Sequence, residues 1–215
     1  MFSLHPVKAI AMGEGGVVTT NSSVIHERLM RFRNHGLVRD SARFVFNEQA
    51  FDENGEPYPW YYEMPEIGWN YRASDVQCAL GLSQLSKLPR FVEKRAQLLT
   101  HYHRRLRDVN PYVQPLEVCA NGRPAWHLAV VLIDYEALNT TRAKVVHSLQ
   151  KMGVGTQVHY VPVHLQPYYR HRYAVPELPG ASRYYERCLS LPLFPAMESD
   201  DVDYVVDSLL RATGL

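Results

Sequence analysis

FSLHPVK at residues 2–8, followed by GEGGVVTTN at residues 13–21, decides how this chain folds and what it can do. The segment opens on an apolar stub at 1–3. It closes on Val17-Val18-Thr19-Thr20, a β-branched run that reads as a strand ended by Asn21. Between them lie a lysine and a glycine-rich turn. Lysine is scarce in this chain: Lys8, Lys87, Lys94, Lys144 and Lys151 are all there is among 23 basic residues. A lysine between a strand end and a Gly-rich turn is a candidate covalent catalyst. Its amine condenses with an aldehyde, and partial burial favours the neutral nucleophile. An ordinary surface lysine beside a turn is the other reading. Ser3, five residues earlier, can offer a hydroxyl to a phosphate, and backbone amides near the glycines can do likewise.

Downstream, Ile25, Leu29 and Phe32 fall at i, i+4 and i+7 and predict a helix stopped at Gly36. Residues 37–66 read as a long aromatic loop centred on DENGEPYPWYYEMPE, a length that is usually functional or disordered. Its part at 51–62 is either a lid over substrate or a surface packed across a dimer interface. Ser74-x-x-Gln77 is a capping-box signature. The helix it opens has apolar residues at 76, 79, 80, 82, 85 and 88, nearly all round, which predicts burial. Pro89 starts another helix with Phe91, Leu98, Leu99, Tyr102 and Leu106 on one face.

Asn110-Pro111 punctuates the chain, and a domain boundary is expected near 108. Beyond it the pattern predicts a strand at 126–134, a helix at 140–152 stopped by Gly153, and a second strand at 154–160. Short helical stretches around Tyr168 and Tyr184 follow, then a terminal helix with Val202, Val205, Val206 and Leu209 inward. Strands alternating with helices indicate a small α/β layer domain. The first half differs. It offers two short strands, too few for an independent sheet, beside helices suited to cover one.

Composition narrows the function classes. Over 215 residues, 23 basic and 22 acidic side chains leave a formal net charge of +1. That argues against a nucleic-acid or anionic-membrane binder, which would carry a basic excess. The longest apolar run, at 128–133, is strand-sized and far from the ~18 residues of a membrane span. No signal-peptide core opens the chain, so a cytoplasmic protein is expected. Cys78, Cys119 and Cys188 are far apart and lack CxxC spacing, which predicts buried free thiols. QVHYVPVHLQPYYRHRY at 157–173 concentrates His and Tyr. A metal site from His159, His164 and His171 is one reading, although intervals of five and seven match neither a helical pair nor a zinc pattern. Packing of aromatic and imidazole rings is a second.

FSLHPVK…GEGGVVTTN closely resembles the pyridoxal-lysine segment of sugar-nucleotide aminotransferases of the DegT/DnrJ/EryC1/StrS family, typically written FSFHPVK…GEGG. The likeness continues in the family's order through Arg31-Phe32-Arg33-Asn34-His35-Gly36 and Gly68-Trp69-Asn70-Tyr71-Arg72. SDVQCALGLSQL at 74–85 and VHYVPVHLQPYY at 158–169 extend it. Within the family, AFDENGEPYPWYYEMPEIGWNYR at 50–72 and QVHYVPVHLQPYYR at 157–170 most resemble the enzymes that aminate a 4-keto sugar on the route to pseudaminic acid. Leu4, where the family often has Phe, and Trp69, before the asparagine, depart from the pattern without removing a reacting group.

The resemblance implies an α/β, fold-type I pyridoxal-phosphate-dependent transferase. Residues 1–107 would be the rear part of its large cofactor domain, with the first strands expected upstream, and 108–215 a complete small α/β domain. It implies pyridoxal 5'-phosphate as cofactor and Lys8 as the lysine that holds it and shuttles the proton. Ser3 is implied at the cofactor phosphate and near substrate. Asn70 is implied to reach the phosphate, also near substrate, from the neighbouring subunit of a homodimer. His5 beside the lysine is either a polar positioning group or structural. Gln157, His159 and Tyr160 are implied contacts of a UDP-sugar, the third reading of the His/Tyr segment. Arg72 is open between a diphosphate contact and a salt bridge at the helix entry.

The implied reaction is amination at C4 of a 4-keto-6-deoxy UDP-N-acetylhexosamine, with glutamate as amino donor. Alternatives are a perosamine- or aminoarabinose-type substrate, an inactive remnant that binds a longer relative, and a sugar-nucleotide binding protein that does not use the lysine. Neither nucleic acid nor membrane is an expected partner.

Overall fold

Two short strands near the start of the chain and three in its second half make up the sheets among the described residues. The computed structural model describes residues 1–109, 111–117, 122, 124–174 and 177–215. Cys119 lies outside them. They form two compact units, Met1–Leu85 and Ser86–Leu215.

In the first unit, β1 (Phe2–Ser3) pairs antiparallel with β2 (Gly16–Val17), Phe2 opposite Val17 and Ser3 opposite Gly16. The strand expected at 17–20 pairs only at its first residue, because β1 is two residues long. Helix α1 (Ser23–Phe32) is capped by Ser22, whose hydroxyl accepts from the Ile25 amide at 3.4 Å. The chain then turns through His35 and Gly36, both at positive φ. The 37–66 stretch is folded: it holds a 3-10 turn at Ser41–Arg43 and a short helix, α2 (Asn47–Ala50).

Helix α3 (Asp75–Leu85) begins at the expected capping box, with the Gln77 amide donating to Ser74 Oγ and the Ser74 amide to Gln77 Oε1. Its predicted burial does not hold. Val76 is 80% exposed, Leu82 72% and Leu85 54%. A helix apolar on every side needs neighbours on every side, and the described residues supply too few. Cys78, expected buried, is exposed on this helix, whereas Cys188 is buried.

The second unit is a layer of helices on a three-stranded antiparallel sheet. Helix α4 (Leu88–Leu106) starts with Pro89 in its first turn and buries Leu98, Leu99, Tyr102 and Leu106. The sheet order is β3 (Val113–Pro115), β4 (Ala129–Ile133), β5 (Cys188–Leu191). Val113 pairs with Ile133, and Ala129 with Leu191. Helix α5 (Arg142–Lys151) is capped by Thr141 and followed by Gly153 at φ +75°. Helices α6 (Pro167–Arg172) and α7 (Pro179–Arg187) appear where Tyr168 and Tyr184 predicted them. Helix α8 (Ser199–Thr213) buries Val202, Val205, Val206 and Leu209, as its periodicity requires.

Helix α4 packs on β3 and α8, and the compact units divide between Leu85 and Ser86. The apolar stripe of α4 decides this, each fully buried aliphatic contributing about 1.5–3 kcal/mol. The Tyr102 hydroxyl, buried with that stripe, donates to the Pro192 carbonyl at 2.9 Å. The strand expected at 154–160 reduces to one antiparallel bridge, Gln157 with Ser190. Two of the three strands, β3 and β5, were not among those expected. β3 sits beside the Asn110-Pro111 punctuation, and β5 is four residues ended by Pro192.

Candidate active site

Ser3, His5 and Lys8 share one hairpin and its connection. The Leu4 amide donates to the Gly15 carbonyl and the Met12 amide to the Leu4 carbonyl, both at 3.0 Å, closing the neck of the loop. Within it the Lys8 amide donates to the His5 carbonyl at 2.9 Å. Ile10 and Met12 are buried and anchor the loop, while Lys8 is half-buried. A primary amine so placed keeps access to a reactant and loses part of its hydration. The exposed Ser3 Oγ accepts from the His5 amide at 3.4 Å, and its own O–H can donate elsewhere. His5 Nδ1 accepts from the Val7 amide at 3.4 Å, and its Nε2 lies 3.6 Å from Glu14 Oε1.

Asn70 is placed by a different pairing in the same unit, an antiparallel bridge with Asn34. The Trp69 amide donates to the Phe32 carbonyl, the His35 amide to the Trp69 carbonyl at 2.9 Å, and the Tyr71 amide to the Arg33 carbonyl at 2.9 Å. Gly36 and Gly68 make this crossing possible. A Cβ on Gly68 would stand 2.1 Å from the Gly36 nitrogen, and one on Gly36 would stand 1.8 Å from the Glu66 carbonyl oxygen. Asn70 is left exposed. Arg72 Nη1 donates to Asn34 Oδ1 at 2.5 Å.

The aromatic stretch is organised around Glu63, a residue not singled out from the sequence. Its backbone pairs reciprocally with Val38. Its carboxylate accepts from the Val45 amide at 2.7 Å, the Phe46 amide at 2.8 Å and the Tyr61 hydroxyl at 3.1 Å. Phe44 meets Phe51 and Tyr61 edge-on, and Tyr58 stacks on Trp60. Burial raises the Glu63 pKa, but the three donors outweigh it and hold the carboxyl below its ordinary range. A depressed folded-state pKa contributes stability that is complete above the ordinary carboxylate pKa of about 4.3 and lost as pH falls toward the lowered value. Acid titration followed by Trp and Tyr fluorescence should show this stretch loosening below pH ~4.3. Glu63→Gln should be loose already at pH 7. Wild-type acid behaviour in the Glu63→Gln protein would contradict the assignment.

In the second unit, Gln157, His159 and Tyr160 follow one another beside β5. The Gln157 and Ser190 backbones exchange hydrogen bonds of 3.2 and 2.8 Å. His159 Nδ1 is 2.8 Å from the buried Ser190 Oγ, and the Tyr184 hydroxyl donates to the His159 carbonyl at 3.0 Å. Burial pushes the Tyr184 pKa up, so it stays a donor. Gln157 and Tyr160 are exposed, and the Tyr160 ring meets that of His159 edge-on. A hollow of about 380 Å³ follows, lined by Pro162, Val163, His164, Tyr169, Tyr173 and Leu178 among others. Ser190 and Tyr184 were missed from sequence because their roles depend on β5 lying beside residue 157. Among the described residues no group of three or more His, Cys, Asp or Glu could hold a metal ion. None of their helices is long and apolar enough to cross a membrane. The expected site residues thus fall in two sets, Ser3, Lys8 and Asn70 in the first unit and Gln157, His159 and Tyr160 in the second.

Comparison with known proteins gives one consistent result. A family profile described as the DegT/DnrJ/EryC1/StrS aminotransferase family matches residues 1–210. The chain is 34% identical over 212 residues to "Uncharacterized protein MJ1066" of Methanocaldococcus jannaschii, covering 98% of this chain and 52% of that protein. It is 34% identical over 211 residues to the spore coat polysaccharide biosynthesis protein SpsC of Bacillus subtilis, covering 97% and 52%. Its fold is similar to that of Helicobacter pylori PseC, an aminotransferase involved in the biosynthesis of pseudoaminic acid, with a TM-score of 0.84, 30% identity, and coverage of 99% and 52%. The chain thus spans about half the length of the curated relatives it matches.

Proposed function

The chain belongs to the DegT/DnrJ/EryC1/StrS aminotransferase family, and on that premise we propose that it is the lysine-bearing part of a sugar-nucleotide aminotransferase. In this proposal residues 1–107 belong to the cofactor domain and 108–215 form the small domain, with α4 packed on the latter. Lys8 carries the proposal: a half-buried lysine on a loop closed at its neck, in the same hairpin as a serine whose hydroxyl accepts from the His5 amide.

That donor set fits pyridoxal 5'-phosphate, with Lys8 Nζ for its aldehyde and Ser3 Oγ for its phosphate. When bound, the cofactor supplies an electron sink for the carbon that exchanges its amino group. Lys8 Nζ would carry the proton between the cofactor and C4 of the sugar, delivering it to C4 in the aminating direction. Asn70, exposed on its bridge, reaches the phosphate of the neighbouring subunit in a homodimer. Gln157, His159 and Tyr160 contact the nucleotide sugar, neutral donors and aromatic faces suiting hydroxyls, an acetamido group and a uracil ring.

In the net reaction an amino acid, glutamate by family resemblance, gives its amino group to a 4-keto sugar and leaves as the 2-oxo acid. We take that sugar to be a 4-keto-6-deoxy UDP-N-acetylhexosamine, a reading supported by 30% identity to PseC, an aminotransferase of pseudoaminic acid biosynthesis.

The test is chemical capture. The protein is mixed with pyridoxal phosphate, reduced with borohydride and digested. The phosphopyridoxyl mass is expected on the peptide containing Lys8, and its absence there would remove the proposal for this chain. Binding of candidate UDP- and TDP-4-keto sugars, measured calorimetrically, separates substrates. Tyr160→Ala should weaken the preferred one about tenfold, the loss of roughly one aromatic contact.

A further inference from the structure

We propose that the face of α3 bearing Gln77 and Gly81 seats the Lys8 loop, with Gln77 as a positioning residue for Lys8. The inference rests on the role given to Lys8 above. Gln77 uses the two ends of its amide for different tasks. Oε1 accepts from the Ser74 amide at 3.0 Å and the Ser74 hydroxyl at 3.1 Å, which caps α3. Nε2 donates to the Glu14 carbonyl at 2.9 Å, across 63 residues of chain. The reversed amide would set an acceptor against a carbonyl and donors against an N–H, so only this orientation satisfies the network.

One helical turn on, at i+4, Gly81 continues the same face. A Cβ there would come 3.2 Å from Met12 Cβ, and its absence lets the buried Met12 side chain lie against the helix. Glu14 and Met12 flank the returning half of the loop that Lys8 occupies. That loop is also tied at its neck through Leu4, with the His5 and Glu14 side chains 3.6 Å apart beside it. The first turn of α3 and the Lys8 loop are therefore set by one side chain. An ordinary capping glutamine would fix only the helix.

Gln77→Glu separates the two tasks. Glutamate keeps the acceptor that caps Ser74 but presents an oxygen to the Glu14 carbonyl. Hydrogen exchange on the whole chain reads both ends. The Lys8 and Met12 amides report the loop, because they donate to His5 and Leu4. The Gln77 and Cys78 amides report the cap, because they donate to the Ser74 hydroxyl and carbonyl. In Gln77→Glu, loop exchange should rise about fivefold, the worth of one ordinary hydrogen bond, while cap exchange stays within about twofold. Labelling of Lys8 Nζ by acetic anhydride should change in parallel with the loop amides. Gln77→Leu should loosen both ends.

Unchanged loop exchange in Gln77→Glu, or loop and cap accelerating together, would reduce Gln77 to a cap and overturn the proposal. Cofactor capture is scored separately. Wild-type protein that fails to capture pyridoxal phosphate while Gln77→Glu still loosens the loop would remove the catalytic reading of Lys8 and leave the brace.

Discussion

Lys8→Ala is expected to abolish capture of pyridoxal phosphate, leaving neither a new absorbance band nor a borohydride-fixed mass on its peptide. Only an unprotonated primary amine can make the bond, and in the first unit Lys8 is the single lysine in the sequence. Lys8→Arg should fail equally, because a guanidinium stays protonated under all working conditions. In a protein that turns over, losing the group that moves the C4 proton should cost about 10²–10⁴-fold in rate, beyond the loss of bound cofactor. The fold should not suffer. Lys8 is only half-buried, and the bond from its amide to the His5 carbonyl needs no side chain. The other lysines provide the control: Lys94, for example, is held by Glu198 at 2.7 Å. Capture that persists in Lys8→Ala, or that spreads evenly over Lys87, Lys94, Lys144 and Lys151, would sink the assignment.

The second large effect is structural. Gly68→Ala should destabilise the first unit by about 3 kcal/mol or more, since steric strain against immovable groups is among the few causes of such losses. The added Cβ would stand 2.1 Å from the Gly36 nitrogen and 2.5 Å from the His35 carbonyl carbon. Both are backbone atoms, so no rotamer change relieves the clash. Relief requires parting the segments whose bridge holds Asn70 beside Asn34. Hydrogen exchange at the His35 and Tyr71 amides, which cross this junction, should lose its protection first. Gly55→Ala is the control for backbone strain without a clash. Unlike Gly68 it has positive φ, at +82°, but nothing lies within 4 Å of its Cβ, so it should cost only about 1 kcal/mol. Equal urea midpoints for the two variants would refute the close-approach explanation.

Much of the second unit was legible before its structure. The stripe at Leu98, Leu99, Tyr102 and Leu106 and that at Val202, Val205, Val206 and Leu209 fall inside as the helical period requires. Gly153 and the Ser74–Gln77 box marked helix ends because capping is local chemistry. Strands were read less well. β3 and β5 have three and four residues, too short for a periodicity to establish itself, and each exists by virtue of β4 between them. Residues 154–160 had the composition of a strand, but Gln157 alone of them forms a β-bridge, to Ser190. On α3, composition predicted a core helix, whereas exposure depends on which neighbours stand beside it.

The same division runs through the site. Lys8, its serine and its glycine-rich turn are contiguous, so their types and spacing are written in about twenty residues, and these together with the ordered motifs beyond carry the resemblance that the family profile bears out. What Glu63, Ser190, Tyr184 and the far end of Gln77 do was decided only by tertiary structure. Each acts on a group between 17 and 63 residues away in the chain, apart from the Glu63–Tyr61 contact. The physical reason is the reach of the forces involved. Capping, turn geometry and helical periodicity act within a few residues and leave a mark on the local sequence. A carboxylate satisfied by distant amides, or a glycine spared a clash with a distant strand, has no local signature until the chain has closed upon itself.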